Sequence, residues 1–274
     1  MPDAGLFDFS SVPDSYRTGL QPWIFDPWAR RLLDEVAPRT GQTVLDVASG
    51  PGAVASLASS AVGPGGRVVA SDLSPLMLAG VGRPASGGSS RIDILVCPAD
   101  ALDLPDASVD VAYCQQGFQF LPDRDAAAGE IRRVLRPGGR TGVAVWRAGR
   151  RPEPFETYAR VLRSEGVAEP YPGAYDTDAV TLTADDLAGS LSAGGLVEID
   201  VRPFTIDLVW PDLRTAALGI LGTSYGPAVA GLEDADRSRV LTSLTRAMAD
   251  GGTVGVQVME AVIGTGVAPG GQGT

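Results

Sequence analysis

Val44–Ser56 reads VLDVASGPGAVAS, an apolar run that reaches an acid, breaks into glycines and reopens as a helix. Glycines in such a bend imply a partner packed so close to the backbone that a side chain would obstruct it. Gly50-Pro51-Gly52-Ala53-Val54-Ala55 satisfies G-x-G-x-x-A, and Asp72 stands 20 residues beyond Gly52, where an acid can meet ribose hydroxyls. Two ligands suit this loop: the pyrophosphate of a dinucleotide, or a nucleoside bearing an amino acid. Asp46, four residues before Gly50, weighs between them. A carboxylate aimed into the turn repels pyrophosphate and attracts an ammonium or sulfonium.

The surrounding chain alternates short apolar runs with helical periods. TVLDVA from Thr43, RVVASD from Arg67, RIDILVCP from Arg91, VDVAYC from Val109 and RTGVAVW from Arg140 read as strands. AVASLASSAV from Ala53 reads as a helix, as does SPLMLAGV, with Ser74 as N-cap and Pro75 in its first position. RDAAAGEIRRVLR from Arg124 is expected to be a helix closed by PGG. Strands separated by helices predict right-handed crossovers and a mostly parallel sheet covered on both faces.

After Trp146 the rhythm changes. PFETYARVLRSEG is helical, and TADDLAGSLSAGG is a helix capped by Thr183. LVEIDVRPFTIDLVW is extended, with a bend expected at Pro203, which cannot donate a ladder bond. Two further helices precede a last strand, TVGVQVMEAVIG. The terminal GTGVAPGGQGT is expected to fray.

Composition narrows the chemistry. Net charge is −11, which disfavours counterion-displacing contact with nucleic acid. The chain has no His, Lys or Asn, and its 22 basic residues are all Arg. A histidine base, a Schiff-base or P-loop lysine and a histidine-bearing metal site are excluded, and no metal is expected. Cys97 and Cys114, in apolar runs, read as buried thiols of a cytoplasmic protein. The segment MPDAGLFDFS lacks the basic and apolar regions of a signal peptide, and no run approaches the ~20 apolar residues of a membrane helix.

The order VLDVASGPG, VVASDLSPLML, CPADALDLPDASVDVAYC and EIRRVLRPGGRTGVAVW resembles the class I S-adenosylmethionine-dependent methyltransferases, in the type 11 group. The resemblance covers roughly residues 23–146; the C-terminal half is similar only in its pattern of elements. It implies a Rossmann-like fold: a seven-stranded, mostly parallel sheet with one antiparallel strand, helices on both faces and an added helical lid. Residues 1–42 become an N-terminal helical lid segment. Residues 43–263 become the methyltransferase domain with a helical insertion at about 211–250, and 264–274 a flexible tail.

The cofactor implied is S-adenosylmethionine. The resemblance puts Gly50 and Gly52 against its methionyl part, and Asp46 toward its ammonium unless Asp46 only stabilises the turn. Ala48 replaces the family's first glycine, which implies φ below zero there. Asp72 takes the ribose hydroxyls, Leu73 and Met77 flank the adenine, and Asp100 with the Ala101 amide reads its edge. The Gln115 and Gln116 backbones also go to the cofactor, and Phe118 and Gln119 to the substrate. Relatives often carry a His near this point, where this chain has Gln119 or Phe120.

The expected reaction is methyl transfer to a small, largely apolar metabolite of secondary metabolism, with no nucleic-acid or membrane partner. No base stands out beyond Tyr16, Glu156, Tyr175 and Tyr225, and Tyr16 and Tyr225 are also substrate candidates in the lid, with Trp23, Phe25 and Trp28. Two other readings stay open: a protein of this fold that binds the cofactor but catalyses a cyclisation or other non-methylating reaction, and an NAD(P)-dependent oxidoreductase.

Overall fold

The computed structural model describes residues 12–81, 89–149, 152–170, 173–174, 176, 180–250 and 256–270. The chain opens with α1 (Val12–Gly19), a π-helical turn (Gln21–Phe25) and α2 (Asp26–Glu35). It continues through β1 (Thr43–Val47), α3 (Ala53–Val62), β2 (Arg67–Asp72), α4 (Pro75–Leu78), β3 (Arg91–Val96) and β4 (Val109–Gln115). A 3-10 turn (Phe118–Phe120) leads into α5 (Arg124–Val134), β5 (Leu135–Trp146), α6 (Phe155–Ser164), α7 (Ala184–Ala193) and β6 (Val197–Val209). Then α8 (Leu213–Leu218), a 3-10 turn (Gly219–Gly222), α9 (Gly226–Ala230) and α10 (Asp234–Asp250) fall between β6 and β7 (Val256–Val267).

The seven strands form one sheet in the order β3-β2-β1-β4-β5-β7-β6, with β7 antiparallel to both neighbours. The order reverses between β1 and β4, so a crevice opens outside their carboxyl ends. Strand alternation divides the core in two. Val44, Val111, Tyr113, Ala144 and Trp146 join Trp28, Leu32 and Val54 on one face. Leu45, Ala112, Cys114, Val143 and Val145 join Ile131, Leu187 and Leu191 on the other. Gly264 of β7 permits the second packing, because a Cβ there would stand 2.9 Å from Leu187 Cδ2.

The local signals largely hold. The Ser74 side chain caps α4 by accepting from the Met77 amide, and Thr183 and Asp186 form a reciprocal capping box on α7. Several boundaries differ. Strand β5 begins at Leu135, which pairs with Val109, so the expected helix gives way to the ladder before reaching PGG. The register of β6 runs through Pro203 without a shift; because β6 is an edge strand, the missing N–H costs no pairing. The irregularity falls between Val197 and Asp200, where Glu198 has a φ of 51°.

The expected C-terminal tail is shortened from its start. Strand β7 pairs through Val267, and Ala268 exchanges backbone bonds with Gly138 and Gly139. Helix α2 is not lid either: Trp28, Ala29 and Leu32 are fully buried in the core. No helix among the described residues is long and apolar enough to cross a membrane.

Candidate active site

A cavity of about 800 Å³ lies over the carboxyl ends of β1, β2 and β4, within the usual range for small-molecule sites. Its floor is the loop after β1. Asp46 is buried, and its Oδ2 accepts from Ser49 Oγ at 2.8 Å and from the Ala55 amide at 2.9 Å. Burial pushes this carboxyl up to about 7, and Asp72 adds to the rise, while the Ser49 and Ala55 bonds oppose it. The turn-stabilising role of Asp46 is therefore real, and the residue also faces the cavity.

Asp72 closes β2 and ties two loops together: its Oδ2 accepts from the Gly50 amide and its Oδ1 from the Ser74 amide, both at 2.9 Å. The residue also lines the cavity. Asp46, Asp72 and Asp100 are the charged residues among the described lining, and no Arg joins them. Such a floor draws a cation and offers pyrophosphate no counter-charge.

Other residues named from the sequence divide. Ala48, Gly50, Leu73, Met77, Gln115 and Gln116 line the cavity. Gly52 does not; it has a φ of 89°, and a Cβ on it would stand 3.1 Å from Val81 Cγ1. Its glycine accommodates the left-handed backbone beside the Val81 side chain. Ala48 has a φ of 52°, contrary to the expected negative value. The Ala101 amide donates to Pro98 O, and Ala101 lies off the cavity while Ala99 lines it. The Gln116 amide donates to Ala144 O at 2.8 Å, so the sheet already uses the backbone donor expected for the cofactor.

On the substrate side Phe118 is corrected: it is fully buried in the second core, and Phe120 lines the cavity in its place. Gln119 is buried and also lies off the cavity. Tyr16 and Tyr225 do line it. Tyr16 stacks on Phe25 with ring centroids 4.6 Å apart, and the Tyr225 hydroxyl donates to Ala174 O at 2.8 Å. Burial, reinforced by Asp26, Asp72 and Asp46, holds the Tyr16 hydroxyl well above its usual pKa, so it is a donor and not a base. Glu156 is off the cavity, as are Trp23 and Trp28; Tyr175 lies outside the described residues.

Sequence reasoning missed Trp146 and Phe155, which line the cavity beside Phe25. Trp146 ends β5, and its place at a strand's carboxyl end was the available signal. Cys97 lines the cavity and Cys114 does not; both are free and buried. No cluster of metal-ligating side chains occurs among the described residues.

Residues 45–143 match the family model for a methyltransferase domain. Nocamycin O-methyltransferase of Saccharothrix syringae is 32% identical over 212 residues, covering 72% of this chain and 70% of that protein. The chain belongs to the class I S-adenosylmethionine-dependent methyltransferases. The methyltransferase is also 40% identical over 116 residues to the ubiquinone/menaquinone biosynthesis C-methyltransferase UbiE of Hahella chejuensis, covering 41% of this chain and 46% of that one. The (4+2)-cyclase SpnF has the same fold, with a TM-score of 0.53 at 21% identity over 90% of this chain and 81% of that one. The enzyme's cofactor, S-adenosylmethionine, carries a sulfonium and an ammonium, and the acidic floor, with no cation among the described lining residues, fits that charge.

Proposed function

We propose that this methyltransferase acts on a small, largely apolar metabolite of secondary metabolism. The observation that carries the proposal is the division of one cavity into an acidic floor and an aromatic wall. Over the floor, Asp46 faces the cofactor's ammonium, Asp72 the ribose, and Asp100 the adenine edge, with Leu73 and Met77 against the adenine face. Leu20, Phe25, Phe120, Trp146 and Phe155 leave an apolar chamber for the acceptor.

The cofactor supplies the electrophilic methyl group, so the chain's work is alignment and exclusion of water. Tyr16 stays protonated, and burial raises the Cys97 thiol, so neither serves as a base near neutral pH. An acceptor whose nucleophilic atom needs no base, or that enters already deprotonated, suits this chamber. The name of the relative covering most of the chain, an O-methyltransferase, favours oxygen as the acceptor atom.

The test is incubation of the protein with S-adenosylmethionine and a panel of apolar hydroxylated metabolites, reading S-adenosylhomocysteine release and product mass. A mass gain of one methyl supports the reading; an isomer of unchanged mass would point to cyclisation instead. Asp72→Ala should weaken S-adenosylmethionine binding about ten- to a hundredfold, since bonds to a charged group are strong. Unchanged affinity would overturn the ribose assignment.

A further inference from the structure

The wall of the cavity is far more aromatic than the chain. Aromatic residues make up 6% of the sequence, yet Tyr16, Phe25, Phe120, Trp146, Phe155 and Tyr225 all line this cavity. Tyr16, Phe25, Trp146 and Phe155 form a continuous row of ring contacts. Tyr16 stacks on Phe25 at an interplanar angle of 19°, Phe25 meets Trp146 at 6.4 Å between centroids, and Trp146 meets Phe155 at 6.0 Å. The row starts near the cofactor floor, since the charges of Asp72 and Asp46 act on the Tyr16 hydroxyl. It ends at Phe155, the first residue of α6.

Buried neighbours fix these rings. Trp28, fully buried, meets Trp146 edge-on at 6.0 Å and 78°. Tyr158, also fully buried, meets Phe155 at 6.1 Å and 78°, and its hydroxyl donates to Ala216 O of α8. Gln115 Nε2 donates to Phe25 O at 3.0 Å. Side chains held in this way lose little freedom when a ligand arrives. Phe25 and Trp146 are buried, whereas Tyr16 and Phe155 are only half-buried, so the ends of the row keep surface that a ligand can cover.

We infer that the acceptor is a planar molecule of two or more fused aromatic rings lying along this row, and that Phe155 selects it over single-ring or saturated acceptors. Ring–ring contacts contribute beyond the area they bury, and a saturated skeleton of similar outline forgoes that contribution. Four rings in succession offer more contact than one acceptor ring can use. The inference rests on the proposed methyltransferase reading and narrows its apolar metabolite to a fused-ring one. Phe155 is a specificity residue here and takes no part in the methyl transfer itself.

The test is equilibrium dialysis of anthracen-2-ol, its fully hydrogenated analogue and phenol against protein saturated with S-adenosylhomocysteine. The wild type should bind anthracen-2-ol about fivefold or more tightly than the hydrogenated compound, because only planar rings gain the ring contacts. Phenol should bind about tenfold or more weakly than anthracen-2-ol, because one ring leaves most of the row uncovered. Phe155→Leu should reduce the preference for the planar compound by about threefold, while Phe155→Tyr, which keeps a ring, should retain it. S-adenosylhomocysteine affinity should be unchanged in both variants. Phe155→Met repeats the test where Leu fails to fold.

A hydrogenated analogue or a phenol that binds as tightly as anthracen-2-ol would overturn the inference, as would wild-type protein that binds none of the three. A planar preference that survives both Leu and Met at 155 would remove Phe155 from the selection. Folded variants that lose S-adenosylhomocysteine would reassign Phe155 to the cofactor. Wild-type protein that ignores S-adenosylhomocysteine altogether would strike the underlying function, a result distinct from any of these.

Discussion

At Asp46 a single carboxyl serves both the turn and the cavity, and its proton links the two. Its pKa is raised in the fold, to about 7 from an unperturbed value near 3.8. The folded state therefore binds the proton more tightly than the unfolded chain, and stability falls as pH rises between about 4 and 7. A cationic ligand over the ionised group reverses the trend. S-adenosylmethionine affinity should climb toward neutrality, by up to about tenfold per pH unit below 7, and level off above it. Calorimetry across this range should show the climb in the wild type and a flat profile in Asp46→Asn. A flat wild-type profile would refute the contact.

Ala48 and Gly117 form a second residue-scale pair. Ala48 sits in the left-handed region, and its methyl occupies the space that a side chain at position 117 would need. Gly117→Ala should cost about 1–3 kcal/mol through overpacking. Ala48→Gly should recover most of that cost by removing the methyl and relieving the φ. A double-mutant cycle by urea denaturation measures the coupling; additive effects would refute it. The family's glycine-to-alanine change at 48 was legible in the sequence. Its compensation 69 residues later was not, because only the pairing of β1 with β4 brings the two together.

At the scale of elements, α7 was readable because its cap is local: Thr183 and Asp186 stand three residues apart. What α7 packs against was not. Its C-cap, Gly194, has an ordinary φ of −69°, so no turn demands a glycine there. The demand is steric: a Cβ would lie 2.5 Å from the Ala128 backbone carbon in α5. Gly194→Ala should destabilise by about 1–3 kcal/mol, against about 1 kcal/mol for Thr183→Ala, which loses only a cap. Denaturation midpoints check the ranking. The 3-10 turn Phe118–Phe120 failed at the same level, since alternation along QGFQF does not say which aromatic turns to the cavity.

Over the whole molecule the end of the chain matters most. Strand β7 lies between β5 and β6, and its Thr265, Gly266 and Val267 still pair with β5. Removing residues 265–274 strips the ladder from Gly142, Thr141 and Arg140 and frees the Gly138–Ala268 bond. Such a truncation should lower the melting temperature by more than about 5 °C, as read by circular dichroism against the full chain. Equal melting of the two would show that the segment is dispensable.

The sequence by itself determined the succession of strands and helices up to Trp146, the caps, the glycine bend and the acid that sets its charge. Each depends on residues close together in the chain, where periodicity and backbone conformation act directly. Tertiary structure alone decided which side chains share the cavity. Trp146 and Phe155 were brought to it, and Phe118 was turned into the core. Those outcomes follow from how distant elements pack and close over the sheet, and no local pattern carries that information.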